Sequence, residues 1–186
     1  SMHNGHYDTP TELGVKWQMD VKYVPSACYA GSDDEKFYQY TMLEEASRKR
    51  FLYAYKENSS DSTIDFVQRA ILCFGYAPEM IQTDHGSEFT HAQKTDRMHP
   101  LDILCRNLHI AHKVLRPRTP WHNGKVERSH RSDQERFYNH LRFYSYEDLQ
   151  IQMKRYLRRA NNIPMAVLGW ESPAQKQQEL SAARYF

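Results

Sequence analysis

The feature that most restricts the fold of this chain is the spacing of its apolar residues, which changes near residue 60. Residues 15–24, VKWQMDVKYV, alternate strictly between apolar and polar side chains. This period of two predicts a β-strand with Asp20 in the middle of its polar face. Residues 37–43 and 50–55 are rich in aromatic side chains and close enough to pair with each other. Three adjacent antiparallel strands are therefore predicted to begin the fold.

The segment that follows has a helical period instead. Apolar residues recur every three or four positions across residues 62–74. We predict a helix there, with Ser62 and Asp65 as a capping pair at its start and Gly75 as its stop. Such a helix would carry the chain across one face of the sheet before the next strand.

The stretch MIQTDHGSEFT places an acid at the end of a short apolar strand, residues 79–84. Because a strand reached through a crossover helix usually runs parallel to the first, we expect Asp84 to lie beside Asp20 at one edge of the sheet. An aspartate with a glycine two residues on is also the pattern of a simple turn, since Asp bonds its own backbone and Gly86 tolerates positive φ. The stretch taken alone leaves both interpretations open.

The rest of the chain alternates loops with helices and one further strand. In order, we predict an insert at 91–100, a helix at 101–107, a strand at 109–115, a loop between Pro117 and Pro120, a polar helix at 121–143 and a helix at 146–160. With the preceding elements, this order predicts an α/β domain in which helices flank a mixed five-stranded sheet.

Composition agrees with one globular domain. The chain has 186 residues, of which 40% are hydrophobic, so it can bury a core of its own. No apolar run approaches the roughly 20 residues of a membrane span, and we expect no membrane partner. Three widely spaced cysteines favour a reducing, intracellular setting. Ser1 ahead of Met2 is typical of a cloning remnant and favours a piece of a longer protein.

The distribution of charge is uneven although the net charge is only +2. Residues 112–131, HKVLRPRTPWHNGKVERSHR, contain six Lys or Arg and a single acid, Glu127. A solvated helix face usually mixes both signs, so this bias favours a polyanionic partner.

Three blocks carry a resemblance to a known family. WQMDVKYV, IQTDHGSEF and RTPWHNGKVERSHR resemble, in this order, the catalytic blocks of the retroviral integrase and DDE transposase superfamily. The closest likeness is to integrase-core transposases of bacterial insertion sequences, and it implies a ribonuclease H-like fold. It covers residues 14–180 as the catalytic core, with 1–13 as an N-terminal extension or cloning remnant and 181–186 as a C-terminal tail.

The resemblance implies that Asp20, Asp84 and Glu127 are the catalytic acids of a DDE-type polynucleotidyl transferase. Such an enzyme cleaves DNA ends and transfers them to a target during transposition or integration. Carboxylates brought together repel one another and stay ionised only with cations among them, and their hard oxygens select Mg²⁺ or Mn²⁺. Two such ions, about 3.5–4 Å apart, can activate an attacking water or 3′-hydroxyl.

Two other functions stay open at this point. A ribonuclease H-like nuclease shares the fold but usually lacks a helix that begins NGKVER. A non-catalytic DNA-binding or assembly module could descend from a transposase. The presence of all three acids is evidence against such a loss of catalytic activity, because a site without catalytic function has no physical need to keep groups that repel one another.

The resemblance also assigns residues to DNA contact and to support of the site. The predicted DNA-binding residues are Asn123, Lys125, Arg128, Arg131, Arg116 and Arg118. For Arg128, an ion pair with an acid of the domain is an equal alternative. The predicted supporting residues are Gly86, Glu88 and Gly124.

The spacing between Asp84 and Glu127 is longer than in the commonest family members. We expect a surface loop at 91–100 to absorb the difference.

Two residues near the predicted acids have alternative interpretations. Trp121 either stacks on a base or acts as a hydrophobic staple for the helix that follows it. His85 either touches the substrate or belongs to the loop alone. Ten scattered histidines without a paired cysteine motif do not predict zinc.

The expected partners are DNA, as transposon ends and target, and further copies of this chain. Concerted joining of two ends requires two active sites in fixed relation, so we expect a homodimer or higher oligomer. Helices 62–74 and 146–160 are candidate interfaces, unless their apolar faces pack on the sheet. The expected location is the cytoplasm of a bacterium, associated with the nucleoid.

Overall fold

A five-stranded sheet forms the centre of the molecule in the computed structural model, which describes residues 9–32 and 34–183. The strands are β1 (Lys16–Tyr23), β2 (Tyr38–Glu44), β3 (Arg50–Tyr55), β4 (Met80–Thr83) and β5 (Ala111–Val114). The helices are α1 (Ser60–Phe74), α2 (Pro100–Asn107), α3 (Gly124–Arg136), α4 (Tyr146–Ala160) and α5 (Pro173–Ala183). Short 3-10 turns occupy Ser26–Cys28, Pro120–Asn123, Tyr138–His140 and Ala166–Leu168.

The sheet is mixed, as the sequence predicted. The strand order is β3-β2-β1-β4-β5, with β1, β2 and β3 antiparallel and with β4 and β5 parallel to β1. In the parallel pair, Gln18 lies opposite Gln82. Continuing this register by two residues sets Asp84 beside Asp20, so the expected shared edge is confirmed.

Helices α1 and α2 cover one face of the sheet. The odd-numbered residues of β1, Trp17 and Met19, pack there against Phe66 and Phe74 of α1 and Leu101 of α2. Burial of each large side chain contributes roughly 1.5–3 kcal/mol. The alternation read in β1 therefore identifies one half of the core.

Helices α3 and α4 cover the opposite face. Leu52 of β3 packs with Leu149 and Met153 of α4 in a second cluster that includes Phe143. Helix α3 lies over β1 and β2 and covers part of the polar face of β1, while Asp20 and Lys22 stay partly exposed. Gln18, by contrast, is fully buried.

The predicted boundaries of α1 were half right. Gly75 ends the helix with φ 85°, in the left-handed region that glycine tolerates best. The start was wrong: Ser59 is the N-cap, and its side chain accepts a bond from the amide of Ser62. Asp65 instead accepts hydrogen bonds from Tyr55 of β3 and from Arg69. A tertiary partner therefore replaces the predicted capping role.

The predicted helix at 121–143 was too long at both ends. Its first residues form the 3-10 turn Pro120–Asn123, and α3 begins at Gly124. It ends at Arg136 because Phe137 leaves helical geometry, at φ −121° and ψ −66°. This break lets Phe137 and Tyr138 enter the second cluster, where both are buried.

The insert is a surface loop, as predicted. Residues 91–98 are exposed and contain no helix or strand. At its end His99 turns inward, caps α2 by accepting from the amide of Leu101, and contacts the carbonyl of Ser87. The extra length is thus absorbed away from the sheet.

Parts of the predicted extension and tail, residues 1–8 and 184–186, lie outside the described residues. Within the described chain, none of the helices combines the length and apolar character that a membrane crossing requires.

Candidate active site

Two of the predicted acids sit on neighbouring central strands. Asp20 lies in β1 and is paired across the sheet with Thr41 of β2. Asp84 directly follows β4, and its Oδ1 accepts a 2.8 Å hydrogen bond from the amide of Gly86. The turn interpretation is correct for Asp84, which bonds the backbone two residues on, but Gly86 does not adopt the positive φ that the interpretation allowed for it. The turn is compatible with the site, because it holds Asp84 at the strand end.

Buried amide side chains attach the start of α3 to these strands. Gln18 accepts a 3.2 Å bond from the amide of Val126, and Gln82 donates a 2.9 Å bond to the carbonyl of His122. Glu127 follows Val126 directly and is exposed. Two strands thus determine where the first turn of α3 presents Glu127.

The pKa of Asp20 depends on its burial and on the carboxylates around it. Burial and then the charge of Asp84 raise the pKa of Asp20 to about 7, with smaller contributions from Glu127 and Glu88. A hydrogen bond from the amide of Val21 to Asp20 Oδ1, at 2.9 Å, opposes this rise. All three acids named by sequence therefore act within one electrostatic neighbourhood.

Glu88 is a fourth carboxylate in this region. Burial and the charge of Asp84 raise the pKa of Glu88. Its carboxylate lies against Gly86, where an added Cβ would be 2.5 Å from Glu88 Oε1. The glycine therefore leaves room for an acid beside Asp84.

The donor chemistry of this cluster fits a hard divalent cation. Its acids offer carboxylate oxygens, which Mg²⁺ and Mn²⁺ prefer, and the pKa of Asp20 is raised first by burial and then by the neighbouring carboxylates. Within residues 9–32 and 34–183, no group of three or more His, Cys, Asp or Glu is close enough to hold a metal as it stands. Binding would therefore draw the carboxylates closer together.

His130 of α3 lies between the cluster and the sheet. Its Nε2 is 2.8 Å from Thr41 Oγ1, and its Nδ1 is 3.7 Å from Asp20 Oδ2. Burial is the largest cause that lowers the pKa of His130 to about 4. The imidazole is therefore neutral near pH 7.

A buried ion pair anchors α3 further along. Arg50 of β3 makes two 2.7 Å hydrogen bonds to the carboxylate of Asp133. The hydroxyl of Tyr156 and the amide nitrogen of Gln39 also donate to Asp133, at 2.6 and 3.0 Å. Burial alone would raise the pKa of Asp133, but Arg50 and these donors lower it overall.

The predicted DNA-binding residues of α3 separate onto two sides of the helix. Arg131 is exposed and follows Glu127 by one turn, on the same side. Lys125 points away, with its Nζ 3.7 Å from a carboxylate oxygen of Glu45. Arg128 lies beside Gly124, where a Cβ would be 3.2 Å from the guanidinium.

Lys125 and Arg128 line a cavity of about 440 Å³ together with Arg48 and Arg136. The ion pair considered for Arg128 is not present among the described residues. Desolvation is the main cause that lowers the pKa of Arg48, and the charge of Arg128 adds to it. The side of α3 opposite Glu127 is therefore strongly cationic.

The remaining predicted residues differ in exposure. Arg116 and Arg118 are exposed in the loop after β5. Asn123 is buried just before α3, so this conformation offers no direct contact between it and DNA. His85 is exposed. The side chain of Trp121 lies outside the described residues, and both of its interpretations stay predictions.

Sequence reasoning missed the polar residues that hold these groups in place. Gln18, Gln39, Thr41 and Gln82 are all fully buried on the sheet face beneath α3. The one available signal was the polar alternation of β1, which marks Gln18 but not its partner. Asp133 carried no signal, because Arg50 is 83 residues away in the chain.

Comparison with known proteins points to one family. The sequence matches two family descriptions, both entitled "Integrase core domain", over residues 10–120 and 108–173. It is 35% identical over 133 residues to "Putative integrase ORF3" of Spiroplasma virus SpV1-C74. The match covers 65% of this chain and 35% of that protein, so the chain spans about a third of its relative's length.

Several solved structures with the same fold are integrase chains. A chain of the simian T-cell lymphotropic virus intasome, solved with PP2A regulatory subunit B56 gamma, has a TM-score of 0.72 at 19% identity, covering 94% of this chain and 58% of that one. The catalytic core of BIV integrase has a TM-score of 0.66 at 19% identity, covering 93% and 99%. The HTLV-2 core in complex with magnesium, in its trimeric form, has 0.63 at 18% identity, covering 87% and 95%. These likenesses confirm the ribonuclease H-like fold.

Proposed function

This chain belongs to the integrase core domain family, and on that premise we propose that it cleaves DNA ends and transfers them to a target as a DDE-type polynucleotidyl transferase. One observation carries the proposal. Asp20 lies in β1 and Asp84 directly follows its parallel neighbour β4. Buried glutamines of the same two strands hold the start of α3, which carries Glu127, so three separate segments bring acids to one place. Convergence of this kind costs stability and is typical of a functional site.

Asp20, Asp84 and Glu127 would hold Mg²⁺ or Mn²⁺, with Glu88 beside them. When bound, the ions supply a nucleophilic oxygen at neutral pH and charge stabilisation at the scissile phosphate. The protein contributes orientation: the Val21 amide bonds one oxygen of Asp20, and the Gly86 amide bonds one oxygen of Asp84.

DNA would reach the acids along the exposed side of α3. Arg131 stands on the side of Glu127, and Arg116 and Arg118 are exposed in the loop that precedes the helix. Phosphate contacts of this kind position the strand without reading its sequence. Lys125 and Arg128 would contact DNA only where it passes the other side of α3.

The proposed partners are transposon ends, target DNA and further copies of the chain. HTLV-2 integrase cores are known in dimeric and trimeric forms. In this chain Leu149 and Met153 of α4 pack on the sheet, whereas Ile151 of α4 and Leu72 of α1 are exposed. Pairing would therefore use the outer sides of these helices.

The test is a cleavage and joining assay with end-labelled duplexes, a plasmid target and Mn²⁺ or Mg²⁺. Removal of residues that only support metal ligands costs about 10- to 100-fold, so loss of a ligand should cost more. We expect Asp20→Asn, Asp84→Asn and Glu127→Gln each to fall below about 1% of wild-type activity. Glu135→Gln, which changes an exposed acid of the same helix, is the matched control.

Other outcomes identify the alternatives. Wild-type rates in two of the three variants would reject the site. A wild-type protein that binds DNA but never cuts it would indicate a non-catalytic module. Cleavage confined to the RNA strand of an RNA–DNA hybrid would indicate a ribonuclease H-like nuclease.

A further inference from the structure

A continuous set of polar contacts connects the buried ion pair to the candidate active site. Asp133 Oδ2 is 3.0 Å from the amide nitrogen of Gln39, which is also 2.9 Å from Thr41 Oγ1. Thr41 Oγ1 is 2.8 Å from Nε2 of His130, whose Nδ1 faces Asp20. Each group in this series contacts the next, from the interior of the domain to a proposed catalytic acid.

The direction of the hydrogen bonds follows from the first member. Asp133 is ionised by its pairing with Arg50, so it can only accept. The group of Gln39 that faces it must therefore be the NH₂ group, and the second N–H of that group points at Thr41. The hydroxyl of Tyr138 donates to the carbonyl oxygen of Gln39, in agreement with this orientation.

The tautomer of His130 follows from the same logic. Thr41 is fully buried and its Oγ1 accepts from Gln39. Among the described residues, Nε2 of His130 is the one acceptor within hydrogen-bond distance of the Thr41 hydroxyl, so a satisfied Thr41 donates to Nε2. Nε2 is then the unprotonated nitrogen of a neutral imidazole, and the hydrogen is on Nδ1. A buried network thereby selects one of two tautomers.

The selected tautomer directs an N–H group at Asp20. Oδ1 of Asp20 is bonded to the amide of Val21, whereas Oδ2 is the oxygen that His130 Nδ1 faces at 3.7 Å. The pairing of Asp20 with Thr41 across β1 and β2 brings both ends of the imidazole to the same place on the sheet. Donors therefore stand on both sides of the carboxylate.

We propose that His130 is a positioning residue, and that Thr41, Gln39 and Asp133 keep its N–H group directed at Asp20. The role rests on the proposed function, since the orientation of Asp20 matters to catalysis only if Asp20 binds metal. Outer hydrogen bonds of this kind orient carboxylate ligands in metal sites. The hydrogen bond would close from 3.7 Å when the carboxylates draw together.

The first experiment is ¹⁵N NMR of the full chain with labelled histidine, metal-free at about pH 9, where Asp20 is ionised. His130→Gln identifies the resonances of His130. We expect a pyrrole-type Nδ1 and a pyridine-type Nε2 in the wild type. The opposite pattern, or two tautomers in exchange, would overturn the proposal without need of any further variant.

The second experiment removes the Thr41 hydroxyl, which connects Gln39 to His130. In Thr41→Val we expect His130 to populate both tautomers and Mn²⁺ affinity to fall by about 10-fold, the usual loss when a hydrogen bond to a metal ligand's environment is removed. Thr41→Ser keeps the hydroxyl and should retain both properties. Thr63→Val removes a buried hydroxyl of α1, which bonds the carbonyl of Ser59, and is the matched control.

The two proposals fail in different ways. Unchanged Mn²⁺ affinity in Thr41→Val would overturn the positioning role, while the loss of cleavage in Asp20→Asn would still support the proposed function. Full cleavage by Asp20→Asn would reject the function, while a single Nδ1–H tautomer would remain as a property of the fold.

Discussion

Asp20 and Asp133 both lie between the central strands and α3, yet their pKa values shift in opposite directions. Burial, Asp84 and the other acids raise the pKa of Asp20 to about 7. Arg50 and the two neutral donors Tyr156 and Gln39 outweigh burial and lower the pKa of Asp133. Burial raises the pKa of both acids; the partners of Asp133 reverse that effect, whereas the acidic neighbours of Asp20 add to it.

The contrast separates an acid that supports the fold from one that is available for chemistry. Asp133 has its charge and its hydrogen bonds matched by named partners, so it holds α3 in place. Asp20 is held near like charges, an arrangement that destabilises the domain and that a cation would relieve. The ion pair between Arg50 and Asp133 therefore stabilises the helix that carries Glu127, while the acids around Asp20 destabilise the metal-free domain.

The largest expected effect comes from breaking the satisfied pair. Asp133→Ala would leave Arg50 buried without its carboxylate, and we expect unfolding free energy to fall by about 3–5 kcal/mol. Urea denaturation followed by circular dichroism measures this loss.

The double variant Arg50→Met/Asp133→Leu gives the corresponding control. It removes both charges, and it should recover a large part of the stability lost by Asp133→Ala. A double variant as unstable as the single one would show that the polar bonds to Gln39 and Tyr156 matter more than the ion pair.

The second effect distinguishes the two acids by pH. Below about pH 4 Asp20 is protonated in both the folded and the unfolded chain and adds no penalty. Between about pH 4 and 7 only the unfolded chain releases this proton, so the metal-free fold should lose on the order of 4 kcal/mol as pH rises, and no more above 7. Asp20→Asn should flatten this decline.

Asp133 produces the opposite slope in a different range. Its lowered pKa adds stability that is complete above about pH 4 and is lost as pH falls towards the folded value. Thermal melts in the presence of a chelator, from pH 3 to 8, would measure both changes in stability: the loss below about pH 4 due to Asp133 and the loss between about pH 4 and 7 due to Asp20. An unchanged slope between pH 4 and 7 in Asp20→Asn would contradict the assignment.

The smallest expected effect is at the edge of the acidic cluster. Gly86→Ala would place a methyl group 2.5 Å from Glu88 Oε1, at the far end of a flexible side chain that can move. We expect stability to change by less than about 1 kcal/mol. A loss of several kcal/mol in a urea titration would mean that the Glu88 carboxylate is held as firmly as that of Asp133.

Local patterns predicted most of the fold. The alternation of β1 and the glycine stop of α1 are confirmed, as is the parallel strand that ends on Asp84. The errors occurred where distant partners decided the outcome. Tyr55 and Arg69 take Asp65 away from the helix start, and burial of Phe137 ends α3 early.

By itself, the sequence predicted the five strands and the helices α1 to α4 and named three candidate acids, because apolar periods and motif blocks are local properties. Only the tertiary structure decided how those acids are held. The partners of α3 are glutamines of β1 and β4, an arginine of β3 and a threonine of β2, from segments far apart in the chain. A buried polar group must find a donor or acceptor, and which one it finds depends on the packing of strands and helices. That packing also brings the Nζ of Lys125 to 3.7 Å from a carboxylate oxygen of Glu45, a partner that the position of Lys125 in the helix does not specify.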